Sequence, residues 1–520
     1  MAYYFSGGGS GGGSNLFSEE AKNTAATVNK GKLYTPISNG DCTGMFQNKS
    51  VDGIVVVGEN VSNCMNMFNN ATFNTAPMII FRNSAKRINA SYALSYTQLD
   101  GYSMPISMMF NANNAYCMFK NTNFTNAPYV DISLGTGSCN AVSMFHSVNI
   151  NCTRIKLNLL SGNNYYMLFN GADLEAVEDL SMTNIILNAH ANMYNFAFRN
   201  AIIGSAVFDE IKNHLNNISF EDNIHAVSIF ENAQFSTSYI NLNINMHDMN
   251  NLIMCNAFYG TNLGYYNADV SFSNIATLLN LSGFFAGSGY TSSPTYYQTN
   301  VQIQNVQTVV AINMFAGAIF GNLQKFVFNC SNVNRFSLTS FFANRNLLST
   351  SGDFNCGIAN SLINCVTASN MFRNATIPAL FNIYNSPNNI NCSNMYFQCH
   401  TTSTAPSVTY RLPVCVSNCE NMFYYSDFAN MSGTLCIKGN ASTNWAAKNF
   451  FHMFMGRKSG GQCGRLNIWC NNRAALNGNN YLTNSLFFGD VTWTTSTNYI
   501  YNTSYNVYIY NNYSNITNAP

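Results

Sequence analysis

Hydrophobic residues recur along most of the chain in one short pattern: an apolar pair ending in Phe, then any residue, then Asn or Gly, then a small residue. Clear copies are MFNNA at 67–71, IFENA at 229–233 and MFRNA at 371–375. Intervals of 27, 30, 27 and 30 residues separate the successive anchors Phe258, Phe285, Phe315, Phe342 and Phe372. This spacing predicts a repeat solenoid of about sixteen imperfect units of roughly 27 residues.

The Phe of each copy is expected to lie in a buried ladder between stacked repeats. Less regular copies place Phe145 and Tyr396 at the same position. The pattern is weakest between Phe68 and Phe119, where Phe110 competes as an anchor and one degenerate repeat is expected. The expected core ladder comprises Phe46, Phe68, Phe119, Phe169, Phe198, Phe230, Phe258, Phe285, Phe315, Phe342, Phe372, Phe423, Phe454 and Phe488.

The residues after each Phe predict the local structure of the repeat. Asn and Gly adopt the left-handed backbone conformation more readily than other residues, so a short helical turn is expected to end there. Alternating runs follow many copies, at 154–159, 239–244 and 301–304, and indicate β-strands. Each repeat is therefore expected to contain one short helical turn and one β-strand, with parallel stacking of successive strands.

The composition argues against nucleic acid, membrane and zinc as partners. Only 9% of the residues are charged, 47% are hydrophobic and the net charge is +1. Nucleic-acid binding needs a concentrated basic surface, and so sparse a charge distribution predicts none. No run of about 18 apolar residues is present, so membrane insertion is not expected. The 16 cysteines lack zinc-type spacing, and we interpret them as buried small side chains.

The two ends of the chain differ from the repeats. Residues 1–14 read MAYYFSGGGSGGGS, an aromatic tip before a flexible glycine-serine tether. We expect Tyr3, Tyr4 and Phe5 to anchor the protein to a larger particle, with an artificial linker as the alternative origin of the tether. No secretion signal is expected. The predicted organisation is an anchor and tether at 1–14, a short lead-in segment at 15–40, the solenoid at 41–497, and a capping strand or oligomer contact at 498–520.

Several copies resemble the BspA-type leucine-rich repeats of bacterial surface proteins. The best matches are SNCMNMFNNA at 62–71, NMFAGA at 313–318, SNMFRNA at 369–375 and SNCENMF at 417–423. The chain departs from that family in its variable spacing and in lacking a regular leucine pattern in the strand. The resemblance implies a β-rich, leucine-rich-repeat-like solenoid used for adhesion to other surfaces, with no catalytic residues to transfer.

Acidic residues concentrate in one part of the chain, and they are the candidates for an enzymatic site. A pair of carboxylates there could cleave glycosidic bonds, as in other β-rich solenoids. The alternative is that they lie on solvated loops, and we favour it, so that no catalytic residue, metal or cofactor is expected. The residues concerned are Glu175, Glu178, Asp179, Asp209, Glu210, Glu221 and Asp222, with His214, His225, His247 and Asp248 nearby.

Together these features predict a non-enzymatic protein of a phage or viral surface appendage. The expected partners are virion structural proteins at the N-terminus and a host-cell surface glycan or protein at the repeats, where exposed Tyr, Asn and Ser would make contact. A homo-oligomer remains an open alternative. Other candidate functions are a BspA-like adhesin on the bacterial cell surface, a purely structural virion decoration and a depolymerase that uses the acidic residues.

Overall fold

The structure is a computed structural model, and it describes a subset of the chain with short gaps between its segments. The described residues are 32–33, 40–51, 53–57, 61–74, 78–81, 87–99, 106–109, 112–125, 129–133, 139–152, 154–158, 166–181, 195–217, 223–236, 239–263, 265–289, 297–318, 323–344, 353–359, 365–377, 382–384, 390–401, 408–412, 416–418, 420, 422, 433–437, 466–470, 494–495, 499–502 and 507–510.

The fold is a parallel β-solenoid with a repeat of about 27 residues, as the sequence pattern predicts. The chain divides into two compact units. The N-terminal unit consists of Met1–His214 with Ile224–Thr237, and the C-terminal unit consists of Leu215–Asn223 with Ser238–Pro520. Each unit is built from stacked repeats.

Short strands form the N-terminal unit. They pair in parallel in the orders β1-β3-β5, β2-β4, β6-β8, β14-β12-β10-β7 and β17-β15-β13-β11-β9. A repeat here contributes to more than one sheet, where one strand per repeat was expected. The strands are β1 (Lys32–Leu33), β2 (Ser50–Val51), β3 (Gly53–Val57), β4 (Thr72–Phe73), β5 (Met78–Phe81), β6 (Ile88–Asn89), β7 (Ile106–Met109), β8 (Ala112–Asn114), β9 (Asn123–Thr125), β10 (Tyr129–Ser133), β11 (Asn149–Asn151), β12 (Arg154–Asn158), β13 (Asp173–Leu174), β14 (Asp179–Ser181), β15 (Ile202–Ile203) and β17 (Gln234–Phe235), while β16 (Asn223–His225) includes residues of both units.

Long strands dominate the first part of the C-terminal unit. Strands β18 to β21 are 14 to 16 residues long and pair in parallel in chain order. The final strands β32 to β34 pair antiparallel. Of these, β33 and β34 lie within the segment 498–520 predicted as a cap, whereas β32 precedes it. The strands are β18 (Tyr239–Ile253), β19 (Tyr265–Asn280), β20 (Tyr297–Val310), β21 (Leu323–Ser337), β22 (Asp353–Ala359), β23 (Cys365–Thr367), β24 (Thr376–Ile377), β25 (Asn382–Tyr384), β26 (Ile390–Asn391), β27 (His400–Thr401), β28 (Val408–Leu412), β29 (Val416–Asn418), β30 (Gly433–Ile437), β31 (Leu466–Cys470), β32 (Thr494–Thr495), β33 (Tyr499–Asn502) and β34 (Val507–Tyr510).

A ladder of aromatic rings runs through the core of each unit. In the N-terminal unit the rings stack from Phe119 through Phe145, Phe169 and Phe198 to Phe230, with centroids 5.0 to 5.8 Å apart. Phe46 stacks on Phe68 at 5.2 Å and is half-buried. The ladder of the C-terminal unit has centroids 5.2 to 5.5 Å apart and comprises Phe258, Phe285, Phe315, Phe342, Phe372 and Tyr396. Phe423, Phe454 and Phe488 lie outside the described residues.

The described residues include one α-helix, α1 (Ser205–Asn216). It lies in an insertion that lengthens the interval from Phe198 to Phe230 to 32 residues. Its side chains Val207, Phe208 and Ile211 are buried, and Phe208 packs edge-on against Phe230 and Phe235 with centroids 5.7 and 5.0 Å apart. Apolar residues at helical spacing therefore attach the insertion to the ladder.

Candidate binding surface

Each repeat turns through a six-residue segment, which we call a corner and number from 1 to 6. The Phe of the sequence pattern is at position 4. With the exception of Met45 and Phe46, the side chains at positions 3 and 4 are buried, whereas position 6 faces solvent or is half-buried. Fourteen corners lie within the described residues, at 43–48, 65–70, 91–96, 116–121, 142–147, 166–171, 195–200, 227–232, 255–260, 282–287, 312–317, 339–344, 369–374 and 393–398.

Backbone hydrogen bonds alternate along the corner. In corner 65–70 the amide of Phe68 donates to the carbonyl of Ala93 in the next repeat at 2.7 Å, whereas the amide of Asn69 donates within the corner to Asn66 at 3.1 Å. Both kinds of bond satisfy groups that would otherwise be buried without partners. The corner is thereby fixed both internally and against its neighbour, which makes it a rigid support for the side chains it presents.

Two residues in every corner have a left-handed backbone. They occupy positions 2 and 6, as in Asn66 and Asn70, both with φ of 54°. The sequence pattern predicts the left-handed residue at position 6, but it does not predict the one at position 2. Because two left-handed residues interrupt right-handed winding, the expected helical turn takes the form of a hydrogen-bonded corner.

Tyrosines cluster on two adjacent corners of the N-terminal unit, 91–96 and 116–121. Tyr96 is 46% exposed and Tyr116 is 36% exposed. The amide of Tyr92 donates to the carbonyl of Tyr116 at 2.9 Å, and the two rings meet edge-on with centroids 5.4 Å apart. The amide of Tyr96 donates to the carbonyl of Lys120 at 2.8 Å. We call Tyr92, Tyr96 and Tyr116 the tyrosine cluster.

The hydroxyl of Tyr92 is held in its protonated form. Partial burial, followed by hydrogen bonds with the side chains of Tyr116 and Cys117, raises the pKa of Tyr92 above its ordinary value. A protonated phenol can donate one hydrogen bond and accept others. The tyrosine cluster therefore combines apolar ring surface with neutral hydroxyl groups.

Position 5 of the same unit carries polar side chains on successive repeats. Nδ2 of Asn170 donates to Nδ1 of His146 at 3.1 Å, and Oδ1 of Asn170 accepts from Nδ2 of Asn200 at 3.3 Å. Burial, followed by the charge of Lys120, lowers the pKa of His146, so this imidazole is neutral at pH 7. Arg199 and Glu231 form an ion pair at 3.0 Å. These side chains therefore carry little net charge.

A third exposed tyrosine lies in the C-terminal unit. Tyr259, at position 5 of corner 255–260, is 44% exposed. Position 5 of the next three corners is alanine, at residues 286, 316 and 343. Tyr259 thus stands beside small side chains, in contrast to the tyrosine cluster.

The acidic candidates in the N-terminal unit are solvated or paired. Glu175, Glu178, Asp209 and Glu210 are exposed, and the carboxylate of Asp209 accepts from Nζ of Lys212 at 2.6 Å. Asp179 begins β14 and is half-buried. Burial lowers the pKa of His225. His214 lies in α1, and Glu221 and Asp222 lie outside the described residues.

The His247 and Asp248 pair belongs to a ladder of polar side chains in the C-terminal unit. Nδ1 of His247 lies 2.7 Å from Oδ2 of Asp248, and Nδ2 of Asn274 donates to Oδ1 of Asp248 at 2.8 Å. Asn305 donates to Asn274 and Asn332 donates to Asn305, at 2.9 and 2.8 Å. The bond from Asn274, followed by that from His247, lowers the pKa of Asp248. We call residues 248, 274, 305 and 332 the amide ladder.

Of the nine cysteines whose side chains the structure describes, Cys255 is half-buried and the other eight are buried. Burial raises the pKa of Cys64 to about 12 and that of Cys139 to about 11. Within the described part of the chain, no three His, Cys, Asp or Glu side chains are grouped so that they could hold a metal ion. These thiols act as small buried side chains, as the sequence suggests.

The expected N-terminal anchor, Tyr3, Tyr4 and Phe5, lies outside the described residues. Comparison of the chain with protein-family models, curated proteins and solved structures gave no match. None of the helical segments in the described ranges is long and apolar enough to cross a bilayer. The candidate binding surface is therefore inferred from the geometry of the corners.

The sequence pattern missed the tyrosine cluster because its first corner lacks the anchor phenylalanine. Leu94 takes position 4 there and is fully buried. It lies 26 residues after Phe68 and 25 before Phe119, so the repeat interval was the signal that could have located this corner. Phe110, which competes for the role in the sequence, lies outside the described residues.

Proposed function

We propose that the protein is a non-enzymatic virion surface protein that attaches through its N-terminus and binds a host-cell surface glycan or protein through its repeats. The observation that carries the binding role is the tyrosine cluster, exposed on two corners that backbone hydrogen bonds link to each other. Exposed aromatic rings with a polar edge are typical of recognition surfaces.

Attachment to a particle is supported by the sequence of residues 1–14. An aromatic tip on a glycine-serine tether is suited to docking at one point while the body samples its surroundings. Several tethered copies on one particle would convert weak contacts into strong overall binding. A bacterial cell-surface adhesin is the second candidate, and the BspA-like phrase at 62–71 favours it.

The first experiment is to purify virus particles and cell envelopes from the cultures that produce the protein and to quantify it in both by mass spectrometry. Co-purification with a major capsid protein supports the virion assignment, whereas recovery in the envelope fraction favours the adhesin. A variant that lacks residues 1–14 is expected to fold and to be absent from particles. Incorporation at the normal level would contradict the anchor.

Binding is tested with the full-length protein, labelled with a fluorophore and mixed with whole host cells. Saturable binding is expected for a receptor-binding protein. Absence of binding, together with incorporation into particles, would instead identify a purely structural decoration of the virion.

A further inference from the structure

We infer that the tyrosine cluster is the site for a neutral hexopyranose of the host-surface glycan. This inference rests on the proposed function and specifies its ligand. It concerns the two adjacent corners 91–96 and 116–121 of the N-terminal unit and the side chains of Tyr92, Tyr96 and Tyr116.

The first observation is the backbone conformation of the tyrosines. Tyr92 and Tyr96 have φ of 54° and 58°, in the left-handed region. Most corners fill these positions with Gly, Asn or Ser, which tolerate that conformation better than an aromatic residue does. Corner 91–96 is the described corner in which aromatic residues fill both left-handed positions. A disfavoured backbone held at a defined surface point is typical of functional sites.

The aromatic residue at the comparable position 2 of another corner is already covered. Phe196, with φ of 57°, lies under the guanidinium of Arg199 at 5.4 Å and edge-on to Tyr166 at 5.5 Å. Neighbouring side chains thus account for the ring of Phe196. Tyr92, at the same position 2, is likewise packed edge-on, against Tyr116. Tyr96, at position 6, leaves nearly half of its surface in solvent, so its ring has surface available for a ligand.

The exposed area fits a small ligand better than a folded protein. Tyr96 and Tyr116 are 46% and 36% exposed, which for rings of roughly 200 Å² gives about 160 Å² of available surface. A stable protein interface takes about 800 Å² from each partner. The ring face of one such tyrosine can cover the C–H face of a pyranose ring, while its hydroxyl bonds to those of the sugar.

The charge of the site selects a neutral sugar. Lys120 is the one charged residue in the twelve positions of the two corners. Beyond it, Gln98 is exposed and Asn121 is half-buried, and both offer amide groups. Recognition of an acidic sugar would favour several cations or a bidentate arginine. Amides and phenols instead match the hydroxyl groups of a neutral hexose.

The test measures binding of the full-length protein to three neutral probes, maltohexaose, cellohexaose and mannohexaose, and to an acidic one, hexagalacturonate, by isothermal titration calorimetry. Tyr96→Asn introduces the residue found at this position in corners 65–70 and 195–200. We expect Tyr96→Asn and Tyr116→Ala each to weaken binding of a neutral probe at least tenfold. Tyr259→Ala, which removes an equally exposed tyrosine, is expected to bind as the wild type does.

A thermal melt separates this role from a structural one. Because Asn adopts the left-handed conformation more readily than Tyr, Tyr96→Asn is expected to melt at or above the wild-type temperature while losing the ligand. A lower melting temperature would show that the ring serves the fold and would overturn the inference. Preference for hexagalacturonate, lost on Lys120→Ala, would also overturn it.

Whole-cell binding distinguishes the two levels of the proposal. If the wild type binds cells and Tyr96→Asn binds them equally, the inference fails and the proposed function stands. If the wild type binds no cells, the proposed function fails. Parallel loss of cell binding and of neutral-hexose binding in Tyr96→Asn supports both.

Discussion

The corners of the two units differ most at position 2, where the backbone is left-handed. In the described corners of the C-terminal unit this position is small or an asparagine: Asn256, Gly283, Asn313, Ser340, Asn370 and Asn394. In the N-terminal unit the same position also holds Tyr92, Cys117, Met167 and Phe196. The described corners of the C-terminal unit therefore follow the preference of the backbone, whereas the N-terminal unit departs from it at three half-buried residues and at the buried Cys117. Departure from the local preference marks the place to look for function.

The strands show a related difference. Those of the N-terminal unit are two to five residues long, whereas β18 to β21 continue for 14 to 16 residues. One left-handed residue inside each long strand, such as Asn305 with φ of 56°, bends the strand and lets pairing continue. Stacking of these bends places the amide ladder on the surface. Left-handed asparagines therefore occur inside the long strands of the C-terminal unit as well as in its corners.

Among substitutions that compare the two units, the largest loss of stability is expected in the aromatic ladder. Phe285→Ala removes a fully buried ring that stacks on Phe258 and Phe315, and is expected to destabilise the C-terminal unit by about 3–5 kcal/mol. Phe46→Ala, at a half-buried ring of the N-terminal unit, is expected to cost less because less apolar surface is lost. Denaturant unfolding followed by circular dichroism measures both. Equal losses would contradict the ladder as the main source of stability.

An intermediate effect is expected from glycine at position 2 of the C-terminal unit. Gly283 has φ of 65°, and an added Cβ would collide with the side chain of Asn256 in the neighbouring repeat. Gly283→Ala is expected to cost about 1–2 kcal/mol because the left-handed conformation is also disfavoured for alanine. Gly260→Asn, at position 6, is the matched control and should be nearly neutral. A harmless Gly283→Ala in the same unfolding assay would refute the conformational requirement.

A smaller loss is expected when the amide ladder is interrupted. Asn305→Gly removes the side chain that bonds to both Asn274 and Asn332 but keeps a residue suited to the left-handed backbone. It is expected to cost about 1 kcal/mol at this exposed position. Asn48→Gly, in the N-terminal unit, removes an amide that accepts from Asn70 at 2.9 Å and serves as the comparison. Hydrogen exchange of the flanking amides should rise around residue 305. Unchanged exchange there would show that the ladder does not hold the strands.

The smallest effect is a pH dependence at the first residue of the amide ladder. The pKa of Asp248 lies below its ordinary value of 3.8, first because of the bond from Asn274. A lowered folded-state pKa gives stability that is present above the unfolded value and is lost as pH falls through the folded one. Asp248→Asn keeps the left-handed preference without titrating, so the variant should lose less stability than the wild type below about pH 4. Identical acid profiles would contradict this role.

The core of the solenoid was predictable because its chemistry repeats. The Phe at position 4 and the Asn or Gly at position 6 recur at a regular interval, so both the ladder and the parallel strands follow from the sequence. The alternation at 301–304 also locates part of β20, whose buried side chains include Val301 and Ile303. The repeat interval was sufficient to predict these features because every repeat buries the same kinds of side chain against its neighbours.

Other features depend on which side chains neighbouring repeats bring together. Leu94 takes the place of phenylalanine at position 4 and is fully buried. Because it is not phenylalanine, the sequence pattern does not reveal this corner. Helix α1 was also missed, although Val207, Phe208 and Ile211 have helical spacing. The repeat interval could have located corner 91–96, but the left-handed conformation of its tyrosines could not be predicted because intrinsic propensity argues against it. The tyrosine cluster becomes visible only when the two corners are stacked.

The hydrogen bonds between successive corners have a consequence for folding during synthesis. The amide of Phe68 donates to the carbonyl of Ala93, which is translated 25 residues later. At about 5–20 residues per second, this partner arrives roughly 1–5 s afterwards. On the ribosome the amides of a corner that bond to the next repeat therefore stay without their partners until that repeat emerges, and we expect the repeats to stack in order from the N-terminus.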